Sequence, residues 1–102
     1  MPISGEKYPF TEKNIDRAPV EAGVYALYDG DTIIYYGRAA GETVTIRSRL
    51  QDHFAGRDGY CTQQATYYRR EATTSSVNRE KELLEEYERI NGKLPKCNER
   101  IG

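Results

Sequence analysis

Glu80 is the side chain most out of keeping with its neighbours in the sequence. A helix over residues 77 to 90, turning about 100° per residue, places Val77, Leu83, Leu84, Tyr87 and Ile90 in one arc, and Glu80 falls inside it. Glu82, Glu85 and Glu86 point elsewhere. A carboxylate on a buried face is costly unless it is paired or coordinates a cation. Two roles therefore stay open: a helix-start glutamate favoured by the macrodipole and satisfied by an arginine, or a ligand for a metal ion. Arg49 and His53 stand four residues apart, so they share a helix face at one edge of the stripe made by Ile46, Leu50 and Phe54 and can reach a common ligand. Their alternative is an exposed arginine and a histidine stacked on a sheet. Tyr25 and Tyr35 are β-formers, with cross-strand packing as the plain reading and hydroxyls near a site as the functional one.

The elements that must position these groups are legible in outline. Residues 23 to 28 and 32 to 36 are rich in β-branched and aromatic types and flank Asp29-Gly30-Asp31, whose glycine suits a tight turn, so they predict a hairpin. A glycine-containing loop, 37 to 43, leads into a helix from Val44 to about Ala55, ended by Gly56 and Gly59. Residues 65 to 72 read as a third strand. Thr73, Thr74, Ser75 and Ser76 offer N-caps for the helix that begins near Val77 and closes at Gly92, and Pro95 keeps the tail extended. Residues 1 to 22 lack periodicity; Thr11 can cap a short helical turn that Pro19 stops, and the segment is expected to be a partly ordered lead-in. The fold class expected is α+β, a small, largely antiparallel three-stranded sheet flanked by helices.

Composition narrows the function. A chain of 102 residues is one domain with a single modest core. No apolar run approaches the roughly 18 residues of a membrane span, and Glu6 and Lys7 stand where the apolar part of a signal peptide would lie, so no membrane partner and a cytoplasmic location are expected. Cys61 and Cys97 are the only cysteines and His53 the only histidine, too few for a structural zinc site, and the two thiols are expected to be reduced and structural. A net charge of −1 argues against a protein whose main task is coating nucleic acid. Charge is nevertheless uneven: Arg38, Arg47, Arg49, Arg57, Arg69 and Arg70 outnumber Glu42, Asp52 and Asp58, whereas acids dominate from Glu80 to Glu88. There is no Walker motif, no second metal-binding carboxylate cluster and no serine nucleophile motif.

Gly23-Val24-Tyr25 and Tyr35-Tyr36-Gly37 sit at the two ends of the predicted hairpin. After them come Arg49 and His53 in one helix, Glu80 with leucines three and four residues on and a tyrosine seven on, and then Pro95-Lys96-Cys97-Asn98. In this order the motifs resemble the signature of the GIY-YIG nucleases, over a stretch from about Gly23 to Asn98. The resemblance divides the chain into a lead-in, 1–22, and a GIY-YIG-like nuclease domain, 23–102. It implies a metal-dependent endonuclease that hydrolyses phosphodiester bonds, most readily in DNA, with Glu80 binding a single Mg²⁺ (or Mn²⁺). Arg49 would hold the scissile phosphate, with His53 beside it. Arg47, on the other flank of the stripe, is a weaker match, and the loop before this helix is longer than in familiar members, so both arginines stay open.

Tyr25 is by the same resemblance the general base. An ordinary phenol pKa of about 10 means that a nearby metal or arginine must lower it. Tyr35 would orient water or phosphate, while Tyr36, in place of the usual aliphatic residue, points to the opposite face and belongs to the core. Arg38 matches a position often Lys or Arg, its alternative being a solvated loop charge. Asn98 matches a polar residue that supports the site, although it lies farther from Glu80 than is common. With no separate specificity domain, a protein partner that supplies the substrate is possible. The alternative is a catalytically idle module of the same fold that binds nucleic acid or protein. The nuclease reading requires Tyr25, Tyr35, Arg49, His53 and Glu80 to converge on one concave patch. Were Glu80 an unpaired buried charge, Glu80→Gln would also raise stability in the absence of metal.

Overall fold

The sheet is built outward from one strand that is buried on both faces. In the computed structural model, which describes residues 2–98, β1 is Tyr8–Pro9, α1 Glu12–Ile15, β2 Gly23–Asp29 and β3 Thr32–Ala39. They are followed by α2 Ile46–Phe54, α3 Tyr60–Gln63, β4 Tyr67–Ala72 and α4 Ser76–Asn91. The strands form one antiparallel sheet in the order β1-β4-β2-β3. Along β2, alternate side chains enter two cores. Tyr25 and Leu27 join Phe10, Ile15, Ile46, Leu50 and Tyr68 on the face that carries α1 and α2. Val24, Ala26 and Tyr28 join Ile3, Tyr36, Leu83 and Leu84 on the face that carries α4.

The sheet has four strands, not the three expected. The extra strand is two residues long, Tyr8 and Pro9 against Tyr68 and Tyr67, too short for a period-2 pattern to register in the sequence. Residues 2–22 as a whole are more than a lead-in: Ile3, Phe10, Ile15 and Ala18 are buried. The backbone of Pro19 and Glu21 also accepts the N–H groups of Arg47 and Ile46. Thr11 does cap its helical turn, accepting from the Asn14 N–H. The last four residues of the expected 23–102 unit lie outside the described part of the chain.

Local signals account for the helices. Thr45 caps α2 and exchanges hydrogen bonds with Ser48 in a capping box, and Gly92, at φ 78°, closes α4 in the left-handed conformation. The apolar faces are narrower than their periodicity implies. Phe54, Val77 and Ile90 are exposed, whereas Ile46, Leu50 and His53 of α2 and Ser76, Leu83 and Leu84 of α4 are buried. The thiol expectation is overturned: Cys61 and Cys97, 36 residues apart, form a disulfide with Cα atoms 5.8 Å apart. Disulfides persist chiefly in oxidising compartments, which bears against the cytoplasm as the default location. Among the described residues no helix is long and apolar enough to cross a membrane.

Candidate active site

The two glycines of the motifs are needed for close approach. A Cβ on Gly37 would run into the Tyr25 ring and hydroxyl and come within 2.7 Å of Tyr35 Cε2. One on Gly23 would strike the Glu71 carbonyl of β4 and approach Ile46 Cδ1 to 2.7 Å. Bare backbone at Gly37 thus lets Tyr25 lie across β3, to which it is paired in register. A bulge opposite Leu27 and Tyr28 does the rest: Ile34 is the extra residue, so Ile34 and Tyr35 both turn to the α2 face while Ile33 and Tyr36 face α4. Tyr25, Tyr35 and His53 consequently meet, with ring centroids 6.1, 5.5 and 5.0 Å apart for Tyr25–Tyr35, Tyr25–His53 and Tyr35–His53.

A cleft of about 820 Å³ opens around the β3 edge. Tyr35 and Arg38 of β3, Arg49 and His53 of α2, Glu80 of α4 and Asn98 all line it, together with Asp58 and residues 59–62. The functional atoms come from both faces of the sheet and meet only because β3 is the edge strand. Tyr25 sits one layer behind the wall, fully buried, with its hydroxyl 2.8 Å from His53 Nε2. Arg47 is elsewhere; its Nε donates to the Ala18 carbonyl at 2.9 Å. Of the two arginines left open by the sequence, Arg49 is therefore the one on the cleft.

The charged groups are paired with one another. Arg38 donates to Glu80 Oε1 at 2.8 Å, so Glu80 is not the unpaired carboxylate that its helical arc suggested. The Glu80 side chain is 16% exposed and that of Arg38 48%, which leaves the pair open to solvent exchange. Arg49 reaches Asp52 at 3.2 Å and Asp58 at 2.9 Å, and Arg57 reaches Asp52 at 2.8 Å. Arg38, Arg49 and Arg57 are thus neutralised by carboxylates, whereas Arg47, Arg69 and Arg70 bond neutral oxygens of Ala18, Tyr28 and Tyr8.

Burial governs the titrating groups. It pushes the Tyr25 phenol well above 10; Tyr35 adds to the shift, and the Arg49 guanidinium beside it pulls the other way without winning. Burial likewise raises Tyr35, opposed by Arg49 and reinforced by the Glu80 and Asp58 carboxylates. His53, 1% exposed, is pushed down to about 4 by burial, partly opposed by Asp58, so its imidazole is neutral at pH 7.

Among the described residues no three His, Cys, Asp or Glu side chains cluster as a metal cage. The donor chemistry fits Mg²⁺ or Mn²⁺ in another form. Mg²⁺ keeps most of its water and takes one or two carboxylates plus phosphate oxygens, and Glu80 offers one hard oxygen donor on an open, polar cleft once Arg38 yields it. Asn98 anchors this corner by donating to the Tyr36 carbonyl at 3.0 Å and accepting from the Tyr36 N–H at 2.8 Å. Asp58 and Thr62 have no counterpart in the sequence reading. Between Gly56 and Gln64 nothing in the local pattern reports that a four-residue helix folds back over His53.

These features define a small α+β domain whose polar cleft wraps the open edge of a four-stranded antiparallel sheet. The chain belongs to the family described as domain of unknown function DUF7508, whose profile matches residues 1–89. That span includes β1 and α1 as well as Tyr25, Tyr35, Arg49, His53 and Glu80. No curated protein matches the sequence.

Proposed function

We propose that this protein is an endonuclease of the GIY-YIG type that hydrolyses phosphodiester bonds in nucleic acid, most readily DNA. The observation that carries the reading is the convergence of Tyr35, Arg49, His53, Glu80 and Asn98 on one cleft, with the Tyr25 hydroxyl directly behind it. Arg49 neutralises the phosphate as charge builds on it, releasing Asp52 and Asp58 to do so. Arg38, freed from Glu80, binds the neighbouring phosphate. Glu80 would hold Mg²⁺ or Mn²⁺, whose chemistry there is charge stabilisation at the departing oxygen. Tyr35, on the wall, orients the attacking water, and Tyr25 would take that water's proton only as the phenolate, a form that Arg49 favours and burial opposes. Arg47, turned towards Ala18, has no part in this scheme. A protein partner that brings the substrate to the domain is part of the proposal, since a net charge of −1 gives the chain as a whole little attraction for nucleic acid.

One observation favours a second reading, a catalytically idle module of the same fold that binds nucleic acid or protein. Glu80 and Arg49 are both satisfied within the chain, by Arg38 and by Asp52 and Asp58. The two readings separate in a cleavage assay over plasmid, branched and single-stranded DNA and RNA, with and without Mg²⁺. Mg²⁺-dependent cutting that disappears in Arg49→Ala supports the nuclease. Binding without cutting on every substrate supports the idle module.

A further inference from the structure

A chain of three buried side chains runs inward from the cleft wall, where His53 and Thr62 stand, to Tyr25 behind it: Tyr25 Oη lies 2.8 Å from His53 Nε2, and His53 Nδ1 lies 2.7 Å from Thr62 Oγ1. All three residues are almost wholly buried. We propose that Thr62 is a positioning residue, whose hydroxyl donates to His53 Nδ1 and so holds the imidazole as the Nε2–H tautomer, aiming an N–H donor at the Tyr25 oxygen. The inference rests on the nuclease reading for its catalytic meaning, and on geometry alone for the tautomer.

Counting protons distinguishes the two tautomers. A neutral imidazole has one donor and one acceptor nitrogen, so His53 can take the proton of only one of its two hydroxyl neighbours. If it took that of Tyr25, Nδ1–H would point at Thr62, whose own O–H would be buried with no other hydrogen-bond acceptor, a costly arrangement. If it takes that of Thr62, the Tyr25 O–H still faces the Tyr35 ring, the two centroids 6.1 Å apart, at the wall of a polar cleft. Charge agrees. Asp58 Oδ2 lies 3.7 Å from Nε2 and favours a proton there, while the positive charge of Arg49 favours negative charge on the Tyr25 oxygen. Asp52, the remaining charged group bearing on His53, acts in the same sense as Asp58 in favouring a protonated ring.

The consequence falls on Tyr25. Burial opposes its ionisation, and an Nε2–H from His53 directs a donor, with the Arg49 charge acting in the same sense, at the oxygen that must carry negative charge if Tyr25 is to accept a proton. Hydrogen bonds to the charged form are what lower such a pKa. The local fold keeps Thr62 in place. Its four-residue helix has no side-chain cap, but the adjacent Cys61 is bonded to Cys97, whose N–H donates to the Ile34 carbonyl of β3 at 2.7 Å.

His53 is the only histidine, so its ring nitrogens give the only imidazole signals in a ¹⁵N NMR spectrum of the whole chain. At neutral pH the expected spectrum shows a protonated Nε2 and an unprotonated Nδ1. Thr62→Val, which keeps the shape and removes the hydroxyl, should bring the tautomer ratio about tenfold closer to an even mixture and lower kcat by a similar factor with KM unchanged. Thr62→Ser should restore both. A wild-type spectrum with the proton on Nδ1 overturns the proposal, as does a Thr62→Val variant that keeps both the pure Nε2–H form and the full rate. If Thr62→Val does not fold, the wild-type and Thr62→Ser spectra decide alone. A chain that cuts nothing yet shows the Nε2–H form, lost in Thr62→Val, supports the positioning role and sinks the nuclease reading. A chain that cuts and carries Nδ1–H does the reverse.

Discussion

Lowering the pH to about 5 should cost this protein about 2 kcal/mol of stability through His53 alone. The sign follows from the direction of the shift. Burial depresses the pKa of the folded-state imidazole from 6.5 to about 4, so between those values the unfolded chain binds a proton that the folded chain refuses. Stability is therefore fully present above the unfolded value, falls as pH drops through the window, and stops falling below about 4. The whole gap is worth about 3 kcal/mol at 1.36 per pH unit, and roughly 2 of it is lost between about pH 7.5 and about pH 5. At 1% exposure solvent does not screen the effect. Since carboxylates also begin to titrate near the acid end, the assay is urea unfolding at both pH values for the wild type and for His53→Gln. The variant should be less stable at about pH 7.5, because Tyr25 and Thr62 each lose a buried partner, yet its acid loss should be smaller by about 2 kcal/mol. Equal acid losses in the two proteins would refute the reasoning, because the chain has no other histidine.

Glu80→Gln should change stability by less than about 1 kcal/mol, since it breaks a pair whose arginine is half exposed, yet it should eliminate Mg²⁺ binding and cleavage; thermal melting and calorimetric titration with Mg²⁺ check both, and a large loss of stability with cleavage intact would make Glu80 a structural partner. Arg49→Ala should lower the cleavage rate by about 10² to 10³, whereas Arg47→Ala should leave the rate alone and cost about 1 kcal/mol for its lost bond to Ala18; the reverse pattern would exchange their roles. Gly37→Ala should destabilise by about 1 to 3 kcal/mol, as overpacking does, because the added methyl meets the Tyr25 ring. Its tyrosine and histidine NMR signals should shift more than those of Gly30→Ala, whose methyl meets nothing within 4 Å and whose cost is instead the strain of alanine at φ 63°.

The hairpin, both long helices and the glycines that end them could be read from the sequence because each depends on neighbours within a few residues. The Asp29-Gly30-Asp31 turn and the Gly92 stop act locally, and the four-residue spacing of Ile46, Leu50 and Phe54 follows from helix geometry. The membership of the candidate site rests on the motif resemblance, in which Tyr35, Arg49, His53, Glu80 and Asn98 stand at matching positions, and all five line one cleft. What the local pattern could not carry was who pairs with whom. The two-residue strand at Tyr8 exists only because β4 offers it an edge. Cys61 and Cys97 are joined across 36 residues, and their spacing says nothing about it. Glu80 looked like a buried lone charge until Arg38, on a strand 42 positions earlier, was found against it. Thr62, in a stretch without periodicity, meets His53 only when the chain folds back over α2. Ion pairs, disulfides and buried hydrogen bonds of this kind depend on distances set by the packing of distant elements, and only the tertiary structure decides them.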